Sequence, residues 1–329
     1  GNKVEIGRYT SNIANDNLKW ESQKQYNIGL DLSFLKNRYT LSTELYYKRI
    51  DDMLLEVNIP STSGFQKAWK NAGSMENKGL EVSFNAQWLR EGDFKWTTDF
   101  NISFYRNKIL SLDEGQYQQF YDRGINSKIK SDVLLRVGMP VGIYYGYVAD
   151  GIFKTQEELD QHPIQNGKGI GRIRYRDLNN DGVVNEDDRT WIGSPYPDFI
   201  YGLNLNLEYK NFDFTLFLQG VQNVDIINDV KKHTDFWSVV DTYSNKGRRL
   251  LDAFDPVTNP DSDIPSVAYT DDNNEGRMST YYVENGSYLK LRNVQLGYTL
   301  PKEVSEKIKL SKLRLYVSGQ NLFTIKSKS

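Results

Sequence analysis

Between Asp177 and Asp188 the chain reads D-L-N-N-D-G-V-V-N-E-D-D, which sets oxygen-bearing side chains at loop positions one, three, five, nine and twelve. Gly182 stands at position six. With that spacing a short loop can wrap a hard divalent cation, the glycine opening the sharp turn. Asp177, Asn179, Asp181, Asn185 and Asp188 are the candidate side-chain ligands, and Val183 offers a backbone carbonyl at position seven. The expected ion is Ca²⁺ in a structural role, because Asp177, Asp181, Glu186, Asp187 and Asp188 crowd carboxylates that a cation would neutralise. Asp rather than Glu at position twelve shortens the last ligand's reach. The flanks, I-R-Y-R and T-W-I-G, read as extended chain, so this is an EF-hand loop without its helices. The plainer alternative is a hydrated Asp/Asn turn with no ion.

Other chemistry is thin. Loop aromatics (Trp69, Tyr144, Tyr145, Tyr147, Trp191 and Trp237) have faces that stack on sugar rings, but packing of loop on loop explains most of them, Tyr144 to Tyr147 above all. The cluster Gly167-Lys-Gly-Ile-Gly171 fits neither dinucleotide nor P-loop spacing and reads as a flexible loop. There is no G-x-S-x-G elbow, and Asp51-Asp52 and Asp271-Asp272 are adjacent rather than facing, which argues against an enzyme. Without cysteine, and with His162 and His233 far apart, a zinc site is unsupported. A net charge of −2 gives no footprint for nucleic acid.

The elements that must carry these residues alternate with period two. Ile28, Leu30, Leu32 and Phe34 point one way while Asn27, Gly29, Asp31 and Ser33 point the other. The pattern returns in Tyr39 to Tyr47, Leu80 to Trp88, Phe94 to Phe104, Leu203 to Tyr209 and Phe212 to Leu218. Turns of a few residues, at 35–38, 90–93 and 210–211, alternate with long polar excursions at roughly 48–79, 106–200 and 221–280. Mean hydropathy is low at −0.63, yet aromatics reach 13%, as when a polar lumen dilutes an apolar wall. No apolar run of about 18 residues is present to form a transmembrane helix. The fold class expected is all-β, an antiparallel transmembrane β-barrel with long extracellular loops. About ten of its strands are expected in this chain. Thr155 to Glu158 reads as a capping box, Pro301 to Ile308 as a brief helical turn, and the parity slip between Leu291 and Val294 as a bulge near Asn293. The stretch 255–275 reads as a solvated loop tip.

Particular runs also resemble the barrel of SusC/RagA-type TonB-dependent outer-membrane transporters. They are NDNLKWESQKQYNIGLDLSF (15–34), YKRIDDMLLEVNIPSTSGF (47–65), NAGSMENKGLEVSFN (71–85), VGMPVGIYYGYVADGIFKTQEEL (137–159), IRYRDLNNDGVVNEDDRTWIGSPYPDFIYGLNL (173–205), YLKLRNVQLGYTLPK (288–302) and LRLYVSGQNLFTI (313–325). The resemblance implies residues 1–329 are the C-terminal part of a barrel of about 22 strands, plug and TonB box lying outside the segment. GNKVEIGRY, with no basic or apolar leader segment, fits such a piece. It also implies outer-membrane lipid around the wall, a SusD-like surface lipoprotein as lid, TonB as energy source, and a glycan or peptide as cargo. The rival readings are a secreted Ca²⁺-stabilised β-sandwich that binds carbohydrate, and an enzyme on a Ca²⁺-stabilised β fold.

Overall fold

The computed structural model describes residues 13–59, 61–65, 67–113, 116–121, 133–237, 239 and 245–327; the opening GNKVEIGRY lies outside them. The alternating segments pair as one eight-stranded antiparallel sheet in which chain order is spatial order. Its strands are β1 (Ser22–Phe34), β2 (Tyr39–Asp51), β3 (Ser74–Leu89), β4 (Phe94–Ser111), β5 (Phe199–Tyr209), β6 (Phe212–Gln222), β7 (Tyr288–Thr299) and β8 (Arg314–Lys326). β1 and β8 each pair on one side only, so the sheet is a barrel sector rather than a closed barrel. Among the described residues the wall counts eight strands rather than about ten, the remaining extended pieces pairing in small separate sheets within the excursions.

The pairing register joins residues of like character across the whole sheet. Leu32 faces Leu41, and the row continues through Phe84, Phe100, Leu203, Leu218, Leu291 and Phe323. The neighbouring row runs Asp31, Ser42, Ser83, Asn101, Gly202, Gln219, Lys290 and Thr324. A slip of one residue in any ladder would exchange the two faces, so the apolar pattern enforces the register. The one irregularity near this row is Arg292, left unpaired where both β7 ladders shift, which is the bulge expected near Asn293.

The apolar face is uncovered: Ile28 is 74% exposed and Val317 78%. A β-sandwich would bury such a face under a second sheet, and that rival fails here. At the short-turn end aromatic rings follow one another from strand to strand. Centroids lie 5.6 Å apart for Tyr39 and Trp88, 5.9 Å for Trp88 and Trp96, and 4.7 Å for Phe212 and Tyr298. This is the girdle that marks one membrane interface of a barrel wall.

All three long connections leave the opposite end. The second and third fold together around Tyr147, Ile152, Ile173, Tyr175, Phe236, Phe254 and Tyr282. The short helix Gln156–Gln161 starts at Thr155, whose Oγ1 accepts from Glu158 N at 3.2 Å, but the return half of the expected box shifts by one residue, Glu158 Oε2 accepting from Lys154 N at 2.6 Å instead of from the cap itself. The helical turn expected after Pro301 is Lys302–Lys307. Stretch 255–275 is solvated over much of its length, as expected, but its end is not, since Asn273 and Glu275 are buried in the module.

Placing arginine at Leu203, mid-wall on the apolar face, should cost the full-length protein about 2–4 kcal/mol in a bilayer, whereas Asn204→Arg on the polar face should cost far less. Urea titrations of folding in lipid vesicles read the difference, and equal costs would refute the assignment of faces.

Candidate functional site

The acidic loop forms its turn as the spacing demands, with Asn180 at φ 59° and Gly182 at φ 86°. Its oxygens point at its own backbone. Asp177 accepts from Asn180 N at 2.7 Å and Gly182 N at 2.9 Å; Asp181 accepts from Val183 N at 2.9 Å; Asn179 Oδ1 accepts from Asp181 N at 2.9 Å. Asn185 caps the turn Glu186–Asp188 by accepting from Asp187 N at 2.7 Å. Asp188 is fully buried and accepts from the amides of Leu178 at 2.8 Å, Asn179 at 3.4 Å and Asn185 at 2.8 Å. Gly182 O accepts from Ile164 N, and Ile164 O from Val184 N, both at 2.8 Å, which ties the loop to the module. Carboxylate repulsion is thus met by amide donors, and among the described residues no three His, Cys, Asp or Glu groups gather at one metal-binding point.

A buried polar knot lies beside it. Glu275 accepts from Arg172 Nη1 at 2.9 Å and from Ile173 N at 3.1 Å. Gln165 Nε2 donates to Ile173 O at 2.8 Å and Asn273 Oδ1 at 2.7 Å, while its own oxygen accepts from Tyr175 N at 2.9 Å. Burial raises the Glu275 carboxyl above the ordinary range, with Arg172 and the Ile173 amide pulling the other way. The glycine cluster belongs to this knot and is not a flexible loop. Gly167 and Gly171 hold φ values of 74° and 78°, and a Cβ at either would collide with Asp272 or Ser266. Lys168 between them donates to Leu159 O at 2.6 Å and His162 O at 2.8 Å, closing the last turn of the helix Gln156–Gln161.

Where the second connection rejoins the sheet there is a polar crevice of about 250 Å³. Arg106, Asn107, Trp191, Tyr196, Asp198, Asn223 and Asp225 line it. The Asp198 carboxylate takes Arg106 Nη2 on one oxygen and Asn223 Nδ2 on the other, both at 2.6 Å. Asp225 Oδ2 accepts from Ser194 N at 2.8 Å, Trp191 Nε1 donates to Gly193 O at 2.7 Å, and Tyr196 meets Tyr105 edge-on at 5.9 Å. The indole stays 45% exposed. Tyr105, Asn107 and Asn223 continue the parity of the polar face and Arg106 that of the apolar one, so the crevice sits at the rim, lined mainly from the polar side, with Arg106 reaching over the strand end to Asp198. A fixed aromatic face beside planar amide, carboxylate and guanidinium groups suits a sugar ring or a peptide segment.

Of the aromatics singled out in the sequence, only Trp191 lines this crevice. Tyr147 is core, Tyr144 donates its hydroxyl to Asp225 O at 3.4 Å, and Trp69 and Trp237 are surface rings elsewhere. Asp198, Asn223 and Asp225 carry no sequence signal of their own, because they meet only through the pairing of β5 with β6. Two substitutions test the framework in the full-length protein. Asp188→Ala strands three amides and should destabilise the loop by about 3 kcal/mol; Glu275→Ala, which leaves Arg172 unpaired, should cost the module about 3–5 kcal/mol. Hydrogen exchange of residues 165–188 reads both.

A family model described as TonB dependent receptor-like, beta-barrel matches residues 5–322. TonB-dependent receptor P3 of Formosa agariphila is 35% identical over 329 residues, 98% of this chain and 32% of the relative. TonB-dependent receptor SusC of Bacteroides thetaiotaomicron is 30% identical over 320 residues, 94% of this chain and 29% of the relative. The chain therefore spans about a third of the length of such relatives. Among solved structures, the RagAB peptide transporter superposes with a TM-score of 0.78 at 23% identity, over 95% of this chain and 32% of that one, a likeness of fold. This chain belongs to the TonB-dependent receptor β-barrel family, of the SusC/RagA type, and its wall stands in the outer membrane.

Proposed function

We propose that residues 1–329 form the C-terminal barrel portion of a transporter that imports glycans or oligopeptides across the outer membrane. A SusD-like surface lipoprotein acts as lid, and TonB, reached through a region outside this segment, supplies the energy. The observation that carries the proposal is the strict two-faced register, apolar outside and polar inside, with the Trp191 crevice on the polar side. Thirty per cent identity to SusC, a TonB-dependent receptor, over 94% of the chain supports the receptor role. The role is binding and passage rather than catalysis: in the crevice Asp198 is committed to Arg106 and Asn223, and Asp225 to the Ser194 amide.

The test is isolation of the full-length parent from native membranes in mild detergent. A stoichiometric surface lipoprotein should co-purify, and recovery of the chain alone would overturn the lid. Trp191→Ala with Asn223→Ala should weaken binding of the cargo oligosaccharide or peptide about tenfold, with barrel folding unchanged.

Calcium belongs to the same proposal as a structural ion on Asp177, Asn179, Asp181, Val183, Asn185 and Asp188. The spacing supports it, as do the exposed oxygens of Asp177 and Asp181 beside Gly182. Chelation should then lower the Tm of the full-length protein, and Asp181→Ala should abolish that sensitivity. A Tm indifferent to chelator would leave the loop as a self-capped turn.

A further inference from the structure

The outer face of the wall is not uniform from strand to strand. On β1–β4 the apolar positions give way, near the long-connection end, to cations of the same parity. Lys24 pairs with Arg49 one row beyond Tyr26 and Tyr47, and Lys78 pairs with Arg106 one row beyond Leu80 and Phe104. Lys108 continues the set opposite Glu76. The strand β5 begins at Phe199, already below the level of Lys78 and Arg106, so the positive set stands on β1–β4 alone among the paired strands.

The height of this row matters. From Phe34 in the aromatic girdle to Lys24 is ten residues along β1. At about 3.3 Å per residue and a tilt near 40°, that is a rise of roughly 25 Å, the height of a barrel's outer apolar band. Lys24, Arg49 and Lys108 therefore stand at the headgroup level of the leaflet on the long-loop side, with Lys78 and Arg106 one row below them beside Tyr26 and Tyr47.

Directly beneath them the surface is hollowed. A groove of about 610 Å³ runs between Tyr26, Ile28, Tyr47, Leu80 and Phe104, and Lys78 and Arg106 close its upper end. Lys78 Nζ lies 5.5 Å from the Tyr47 ring centroid, which keeps the ammonium over the groove. Local acids only partly balance the row: Asp51 holds Arg49 at 2.8 Å, Glu76 holds Lys78 at 2.9 Å, and Asp198 holds Arg106 at 2.6 Å. Lys108 shares Glu76 with Lys78, and no ion pair is formed by Lys24 among the described residues. Five cations against three carboxylates leave the patch positive, above a slot that water would fill poorly.

We propose that this patch is a binding site for a phosphate-bearing lipid of the outer leaflet. Its acyl chains lie in the Tyr26–Phe104 groove and its phosphate is held by Lys24, Arg49 and Lys78. The complementarity is twofold, charge at the headgroup level and an apolar trough below, and free phosphate would satisfy only the first. The site rests on the orientation of the barrel in the membrane and is independent of the cargo carried.

The experiment uses the full-length transporter in mild detergent, offered lipid A, a phosphorylated and acylated glycolipid, and read by native mass spectrometry. Wild-type protein should retain lipid A about tenfold better than its dephosphorylated form. The exposed triple change Lys24→Gln, Arg49→Gln, Lys78→Gln should remove that preference, while Lys290→Gln on the polar face should not. Equal retention of the two lipids by wild-type protein overturns the proposal without recourse to any variant. So does an unchanged preference in the triple variant, or displacement of lipid A by millimolar inorganic phosphate alone.

Discussion

Hydrocarbon offers no hydrogen-bond partners, so every backbone amide and carbonyl in the wall must be satisfied by a neighbouring strand. The other features of this chain follow from that requirement. Eight strands pair in chain order, each fixed by two ladders except at the edges. Because side chains alternate, the register that satisfies the backbone also decides which residues meet lipid. Leu32, Leu41, Phe84, Phe100 and Leu203 fall in one row because Asp31, Ser42, Ser83, Asn101 and Gly202 fall in the next. The backbone requirement and the apolar pattern agree at each ladder, and that agreement is what makes the sheet unique.

Outside the wall a different physics applies. The long connections have water available, yet they fold as a module with aromatic side chains inside and a polar knot at the seam. Glu275, Asn273 and Gln165 are nearly inaccessible, and each spends its oxygens and amides on partners in the module. The same economy governs the acidic loop, where Asp188 is a buried cap for three amides before it is anything else. Tight glycines at 167 and 171 let backbone approach backbone, and Lys168 satisfies carbonyls that the helix Gln156–Gln161 would leave open.

The wall was legible in the sequence because period two is a local signal: Ile28 to Phe34 or Phe94 to Phe104 needs no knowledge of its partner. The helix start at Thr155 and the bulge beside Asn293 were legible for the same reason. The module was not. Nothing near Gly167 announces Asp272, and nothing near Asn273 announces Ile173, since these contacts join residues about a hundred positions apart. The crevice failed to show for a related reason: Asp198, Asn223 and Arg106 converge only after three strands have found their registers. Short extended pieces in the excursions inflated the expected strand count, because alternation alone does not say which sheet a strand will join.

The knot between residues 163–175 and 270–276 has a mechanical meaning. Two loops that leave the wall at different strands are riveted at Glu275, Gln165 and Asn273, so neither can swing without the other. Together they form one packed segment that is tied to the wall at its roots. There the Asp198 carboxylate links β4, through Arg106, to Asn223 at the exit of β6. The helix Gln156–Gln161 is tied into the same segment through Lys168, which donates to Leu159 O and His162 O, so the hydrogen-bonded path runs unbroken from the helix to the knot.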